Sequence, residues 1–416
     1  MSQQQTARLS RRSFVGGATG LGAAAILGAR GGARPASAAQ STPGSTPAAA
    51  VEVRDTVQVG IVTSQSGPLQ SYGEQYLKGF QVGLDYATGG TGVINGHKIE
   101  FTVRDDTGVP DTAAAAARDL IGAGYKILAG SVVSGVALQV APLAEQNQVL
   151  FVSGPAATDA LTGINDYTFR SGRQTYQDIL TAASFLETLE GQNVLVFAQD
   201  TAFGQANVAA VKAVFGEKGA TVNDLLVAQD ARDFAPFAQQ VLDRAPSLLF
   251  VAWAGATATP MYTSLANQGV LEATRVVTGL DQRVSYPVFG PAAEQISFLS
   301  HYIYQAPDTE ANTFLVDRMK AEGGVPDLFM PDGFAGAQMI VHAVEAADGA
   351  NVDEMITALE GYQFDGVKGQ YTVRPEDHAL LQPMFQVKLT QQGDTFEAER
   401  VNTLAPEAVA PPVAES

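Results

Sequence analysis

The chain of 416 residues has no cysteine, one tryptophan, four histidines, and only 25 basic residues against 43 acidic ones. Without cysteine there are no disulfides, thiolate metal sites or cysteine nucleophiles, and no lipid-modified cysteine to tether the protein to a membrane. A formal charge of −18 has the wrong sign for neutralising phosphates or for adhering to anionic lipid, which excludes nucleic acid as a partner. The histidines, His97, His301, His342 and His378, lie far apart and form no His-x-x-x-His or His-Glu-x-x-His pair, so no metal site is expected. No Gly-x-Ser-x-Gly elbow or phosphate-cradling Gly-x-x-x-x-Gly-Lys loop occurs. Gly67-Pro68 is a turn where a dinucleotide fold would carry Gly-x-Gly-x-x-Gly. No cofactor and no catalytic residue are therefore expected. A hydrolase built on a pair of carboxylates leaves no local signature and stays open.

What is present is a large apolar fraction, 46% against 16% charged, enough to bury a substantial core over two or three domains. The first apolar stretch, Gly16 to about Ala29, follows Ser10-Arg11-Arg12-Ser13-Phe14-Val15 and precedes the small-residue site Ala36-Ser37-Ala38. It is too short and glycine-rich for a bilayer crossing, which takes roughly 20 apolar residues. Residues 1–38 read as a twin-arginine export signal, placing the protein in a periplasm or on the outer face of the cell membrane. Residues 39–55, rich in Ala, Pro, Ser and Thr, read as a disordered leader. No second long apolar run follows, so a soluble mature protein is expected.

From Val57 onward β-branched runs alternate with amphipathic stretches. Strands are expected at Val57–Val62, Ile99–Arg104, Ile127–Ala129 and Val149–Val152, with helices near Tyr72–Tyr86, Asp111–Ile121 and Ser134–Glu145. The rhythm restarts near Thr175 with a helix to Leu189, then strands at Val194–Ala198, Thr221–Val227, Leu248–Val251 and Arg275–Thr278. Helices are expected after Gly204 and Asp233, near Pro260–Gln268 and from Gly333 to Ala347, before a β-rich end from Gly369. These are βα units with right-handed crossovers, an α/β fold of two doubly wound, Rossmann-like lobes. Ligands of open α/β sheets lie at the carboxyl ends of strands, facing the cleft between the lobes. There Ser131-Val132-Val133-Ser134-Gly135 puts Ser134 at a helix N-terminus. It suits a ligand carboxylate or carbonyl, or else caps its own helix. Ser153-Gly154-Pro155-Ala156-Ala157-Thr158 follows the next strand in the same way.

In order and spacing, these segments resemble the type I periplasmic-binding family, the branched-chain amino-acid binding proteins of ABC transporters, from about Val57 to Leu389. The carriers are Ser66-Gly67-Pro68-Leu69-Gln70-Ser71-Tyr72-Gly73, Gly79-Phe80, Ile94-Asn95-Gly96-His97-Lys98-Ile99, Arg104-Asp105-Asp106 and Ser134-Gly135-Val136-Ala137. Pro155-Ala156-Ala157-Thr158, Leu161-Thr162, Phe169-Arg170 and Ala202-Phe203-Gly204 follow. The resemblance implies a type I periplasmic-binding fold with a hinge of three crossings, near Thr175, Tyr304 and Leu380. Lobe 1 would take 56–175 and 305–380, and lobe 2 176–304 and 381–416. Arg374-Pro375-Glu376-Asp377-His378 would be hinge structure.

It further implies a ligand carboxylate at Ser134, Gly135, Ala156, Ala157 and Thr158, an aromatic wall from Tyr72, and Phe203 covering the ligand on closure. Asp281, in Gly279-Leu280-Asp281, would bind an ammonium group, since an unpaired ammonium in a closed cleft is costly; otherwise it is a solvated loop acid or a helix cap. Asp281 is shorter than the glutamate of leucine-type members, and Trp253-Ala254-Gly255-Ala256 lacks their usual tyrosine. Trp253 is then either ligand wall or core. The implied function is a monomeric, non-enzymatic receptor delivering an amino acid or small carboxylate or amide to an ABC permease. A sensing module of the same fold and an exported hydrolase are the alternatives.

Overall fold

A computed structural model describes residues 52–414 other than 394. The expected export signal at 1–38 and the leader through 51 lie outside the described residues. The expected leader ends sooner than 55, because the Arg54 N–H donates to the Gly96 carbonyl (2.7 Å), its guanidinium pairs with Asp348 (2.6 Å), and Asp55 already opens a strand.

The first lobe begins with β1 (Asp55–Thr63), α1 (Gln70–Ala87), β2 (Val93–Ile94), β3 (His97–Asp105), α2 (Pro110–Gly122), β4 (Ile127–Ala129), α3 (Ser134–Asn147), β5 (Leu150–Ser153) and β6 (Thr168–Arg170). Its strands form one sheet in the order β2-β3-β1-β4-β5-β6, parallel apart from the short β2. After α4 (Thr175–Ala183) come β7 (Asn193–Gln199), α5 (Ala202–Glu217), β8 (Thr221–Val227), α6 (Ala235–Arg244), β9 (Leu248–Ala252), α7 (Ala258–Asn267), α8 (Val270–Ala273), β10 (Arg275–Gly279) and β11 (Ser297–Ser300). The chain then returns to the first lobe for α9 (Glu310–Ala321), α10 (Met330–Ala346), α11 (Val352–Leu359) and a small antiparallel sheet of β12 (Gln363–Gly366), β13 (Gly369–Val373) and β14 (Leu380–Leu381). It crosses once more to β15 (Met384–Gln392) and β16 (Thr395–Leu404), which complete a second sheet of order β16-β15-β11-β10-β9-β7-β8.

Both sheets are covered on both faces, which is why their inner strands β4, β5 and β9 read as unbroken apolar runs. Along β9, Leu248 and Phe250 enter one core of the second lobe while Leu249 and Val251 enter the other. In the first lobe Val59 and Ile61 of β1 pack toward Tyr76 and Phe80 of α1, and Val62 turns to the alanine-rich faces of α2 and α3. Alanine at 113, 117, 137 and 141 lets those two helices seat closely on the sheet.

The contact of α1 with α10 is closer still. A Cβ added at Gly79 would stand 1.9 Å from the Met330 carbonyl oxygen, and one at Gly333 2.0 Å from that of Tyr76. Only glycine permits that approach. Gly79→Ala should therefore lower stability by about 1–3 kcal/mol or more through overpacking, whereas Gly216→Ala, in the open face of α5, should be neutral or slightly stabilising. Urea-unfolding midpoints of the two variants would decide it; equal midpoints would mean that the two helices part without cost.

Two expectations change in detail. Helix α4 stops at Ala183 rather than Leu189, where the Ser184 hydroxyl donates back to the Thr181 carbonyl and accepts from the Gln386 side chain (2.7 Å). The end of the chain, assigned whole to lobe 2 as 381–416, returns to lobe 1. The Arg374 guanidinium takes the carbonyls of Pro411 and Pro412, and the Ala414 N–H donates to Asp377. The Arg374–His378 segment thus forms the β13–β14 turn and holds the tail.

Candidate ligand-binding site

The two sheets face each other at the carboxyl ends of their parallel strands, and the loops there enclose a cavity of about 270 Å³, at the small end for a ligand site. The first lobe contributes α3. Its N-cap residue Val133 is extended and offers no side-chain acceptor, so the first-turn N–H groups of Ser134 and Gly135 have no partner within the helix. Ser134 does not cap its helix: its hydroxyl accepts the Thr158 N–H (3.3 Å) and ties the loop after β4 to the loop after β5. From the second lobe α5 points its own N-terminus at the same cavity. Thr201 caps it by accepting the Gly204 N–H (3.2 Å), and Ala202 and Phe203 line the wall. Two helix N-termini from opposite lobes give this end of the cavity a positive potential suited to a carboxylate.

The lobes are closed on one another. The Tyr72 hydroxyl, on α1, donates to Asp281 Oδ1 (2.6 Å) and accepts the Gly255 N–H (3.0 Å), both from the second lobe. The Pro68 carbonyl accepts from Ala256 (3.1 Å), and the Gln75 side chain donates to that of Gln282 (3.1 Å). Asp281 also accepts from the Gln282 N–H and the Ser285 hydroxyl. Burial pushes its carboxyl up and these three donors oppose the shift. Burial, reinforced by the Asp281 charge, raises the Tyr72 hydroxyl well above its usual value, so it stays a donor. Phe329 packs on the Tyr72 ring at 4.4 Å.

Of the residues singled out in the sequence, Tyr72, Ser134, Gly135, Ala157, Phe203, Trp253 and Asp281 line the cavity. Trp253 is both wall and core: it stacks on Phe197, meets Phe234 edge-on, and donates its indole N–H to Thr257 (3.0 Å). Ala156 and Thr158 do not face the cavity. The buried Arg170 guanidinium takes the Ala156 carbonyl (2.6 Å) and the Thr158 carbonyl (2.9 Å), turning those residues inward and leaving Pro155 and Ala157 in the wall.

Sequence reasoning missed Arg173, Asp178 and His301, which line the cavity where the chain crosses between lobes. Arg173 Nη1 donates to the Pro155 carbonyl (2.9 Å), and its Nε stands 3.3 Å from Asp178. Burial raises the Asp178 carboxyl, opposed by the Arg173 charge. His301 is pushed well below its usual range by burial, then by the Arg173 and Lys368 charges, so it is neutral. The signal available was positional, since both Arg173 and His301 sit beside crossings expected near Thr175 and Tyr304. Among the described residues no group of acids and histidines is arranged to hold a metal ion, and no helix is long and apolar enough to cross a membrane.

Two α/β lobes joined by crossings and closed over a small cavity define a hinged ligand receptor. The chain belongs to the periplasmic binding protein family, whose model matches residues 56–394. It is 24% identical over 354 residues to the Leu/Ile/Val-binding protein BraC3 of Rhizobium johnstonii, covering 82% of this chain and 94% of that one. Among solved structures, an ABC-type branched-chain amino acid transporter protein of Rhodopseudomonas palustris aligns with a TM-score of 0.72 at 30% identity, over 86% of this chain and 99% of the other. An R. palustris solute binding protein in complex with 4-hydroxybenzoate shares the fold, with a TM-score of 0.77 at 22% identity over 84% and 97% of the two chains.

Proposed function

We propose that this chain is the monomeric, extracytoplasmic receptor of an ABC importer, exported by the twin-arginine route. It binds a small carboxylate, an amino acid of branched-chain type or an aromatic acid, and presents it to the permease. One observation carries the reading: helix N-termini from both lobes converge on a single cavity. Ser134 and Gly135 of α3 hold the carboxylate, Ala157 and Tyr72 flank it, and Phe203 covers it from α5. Because the α5 contacts exist only when the lobes are shut, the ligand favours the closed state by their full value. The remaining lone pair of Asp281 is the place for an ammonium group. A non-catalytic role is supported by the engagement of both buried cavity acids, Asp281 by three donors and Asp178 by Arg173.

A thermal-shift panel of leucine, isoleucine, valine, benzoate and 4-hydroxybenzoate against leucinamide and benzamide tests this. A carboxylate at a hundred times its Kd should stabilise the protein by about 2.7 kcal/mol, and its amide should not. If no carboxylate shifts melting, the reading is wrong. If the benzoates act and the amino acids do not, Asp281 serves closure alone.

A further inference from the structure

The end of the cavity away from the α5 N-terminus holds polar groups that the carboxylate leaves unused. His301 follows β11, three strands from β7 in the second sheet, roughly 14 Å at ordinary strand spacing. Arg173 follows β6, and Asp178 lies in the first turns of α4. These three side chains are only 7%, 5% and 3% exposed for Arg173, Asp178 and His301, and all of them line the cavity. Asp178 Oδ1 and His301 Nε2 make no hydrogen bond within the protein, and Arg173 Nε has only its 3.3 Å ion pair with the other Asp178 oxygen. Burying such atoms costs free energy unless a bound molecule satisfies them.

Their chemistry is selective. Arg173 is a donor, ionised Asp178 an acceptor, and the neutral His301 ring offers one of each. A second carboxylate on the ligand would meet the Asp178 charge at short range, and a distal ammonium would meet Arg173. An uncharged group that gives one hydrogen bond and accepts another satisfies both. We infer that Arg173, Asp178 and His301 form a hinge-end subsite for a hydroxyl group, so the ligand is a hydroxylated carboxylate and not a purely hydrocarbon one.

This inference rests on the carboxylate reading above, and calorimetric titration with matched pairs separates the two. The probes are benzoate and 4-hydroxybenzoate, phenylalanine and tyrosine, valine and threonine. In the pair that fits, the hydroxylated member should bind on the order of a hundredfold more tightly, because its partner leaves buried polar atoms unpaired. His301→Phe, which keeps a ring against Phe329, should bring that ratio down toward one, and His301→Gln should restore part of it. Equal affinities within every binding pair, or a ratio untouched by His301→Phe, would overturn the subsite and leave the receptor reading standing. If none of the six compounds binds, the carboxylate reading fails and this inference with it.

Discussion

Arg170→Met should cost roughly 3–5 kcal/mol of stability, the range for removing one partner of a buried charged network. Arg170 is 1% exposed. Its guanidinium donates to the carbonyls of Ala156 (2.6 Å), Thr158 (2.9 Å) and Arg173 (3.1 Å), drawing the loop after β5 and the first interlobe crossing together. Burial is the chief cause that lowers its pKa to about 10, with the Asp159 charge opposing, so the group remains charged at neutral pH. Methionine fills similar space and leaves the Ala156 and Arg173 carbonyls without a donor, each a desolvation penalty of about 1–3 kcal/mol, while the Thr158 carbonyl keeps only the long bond from the Leu161 N–H (3.4 Å). Arg170→Lys keeps the charge but cannot span three carbonyls, and should fall between. The urea-unfolding midpoints of the three proteins measure this; a midpoint unchanged in Arg170→Met would show that the loops hold their shape without the guanidinium.

Tyr72→Phe acts on a different quantity. The two bonds of the Tyr72 hydroxyl cross from one lobe to the other, so they count only in the closed state. A hydrogen bond to a charged acceptor is worth about 1.5–3 kcal/mol, and Gly255 loses its acceptor as well. Affinity for the best carboxylate of the panel should therefore fall about 10- to 100-fold. The melting temperature without ligand should hardly move, because each lobe keeps its own core. Should affinity hold while unliganded stability drops, the hydroxyl would belong to folding and not to closure.

Much of this was legible in the chain. The strands Ile127–Ala129 and Thr221–Val227 lie where expected: the first is buried on both faces and leaves an apolar run, and the second is an edge strand marked by β-branched and apolar residues at its two ends. Helices α1, α2, α3 and α5 follow from apolar spacing and from turn residues at their starts. Less legible were β11, four residues long, and α9, whose Glu-Ala-Asn-Thr-Phe-Leu-Val-Asp-Arg-Met-Lys-Ala sequence carries a weak apolar stripe because one side meets solvent. The stretch Arg283–Gln295, broken by Pro287 and Gly290, has no period to read.

The same division runs through the site. By itself the sequence determined the two α/β lobes, the acidic charge, and the positions of Tyr72, Ser134 and Phe203 in first helical turns and of Asp281 in a loop, all just past the carboxyl ends of strands and all consequences of local periodicity and turn chemistry. Only the tertiary structure decided which way those loops face. Arg170 reaches from its own strand to take two carbonyls, so Ala157 enters the cavity while Ala156 and Thr158 turn away. It alone decided that Tyr72 and Asp281, from different lobes, satisfy each other, and that Arg173, Asp178 and His301 converge at the hinge. A hydrogen bond between distant segments depends on where folding brings them, and no local pattern records the partner.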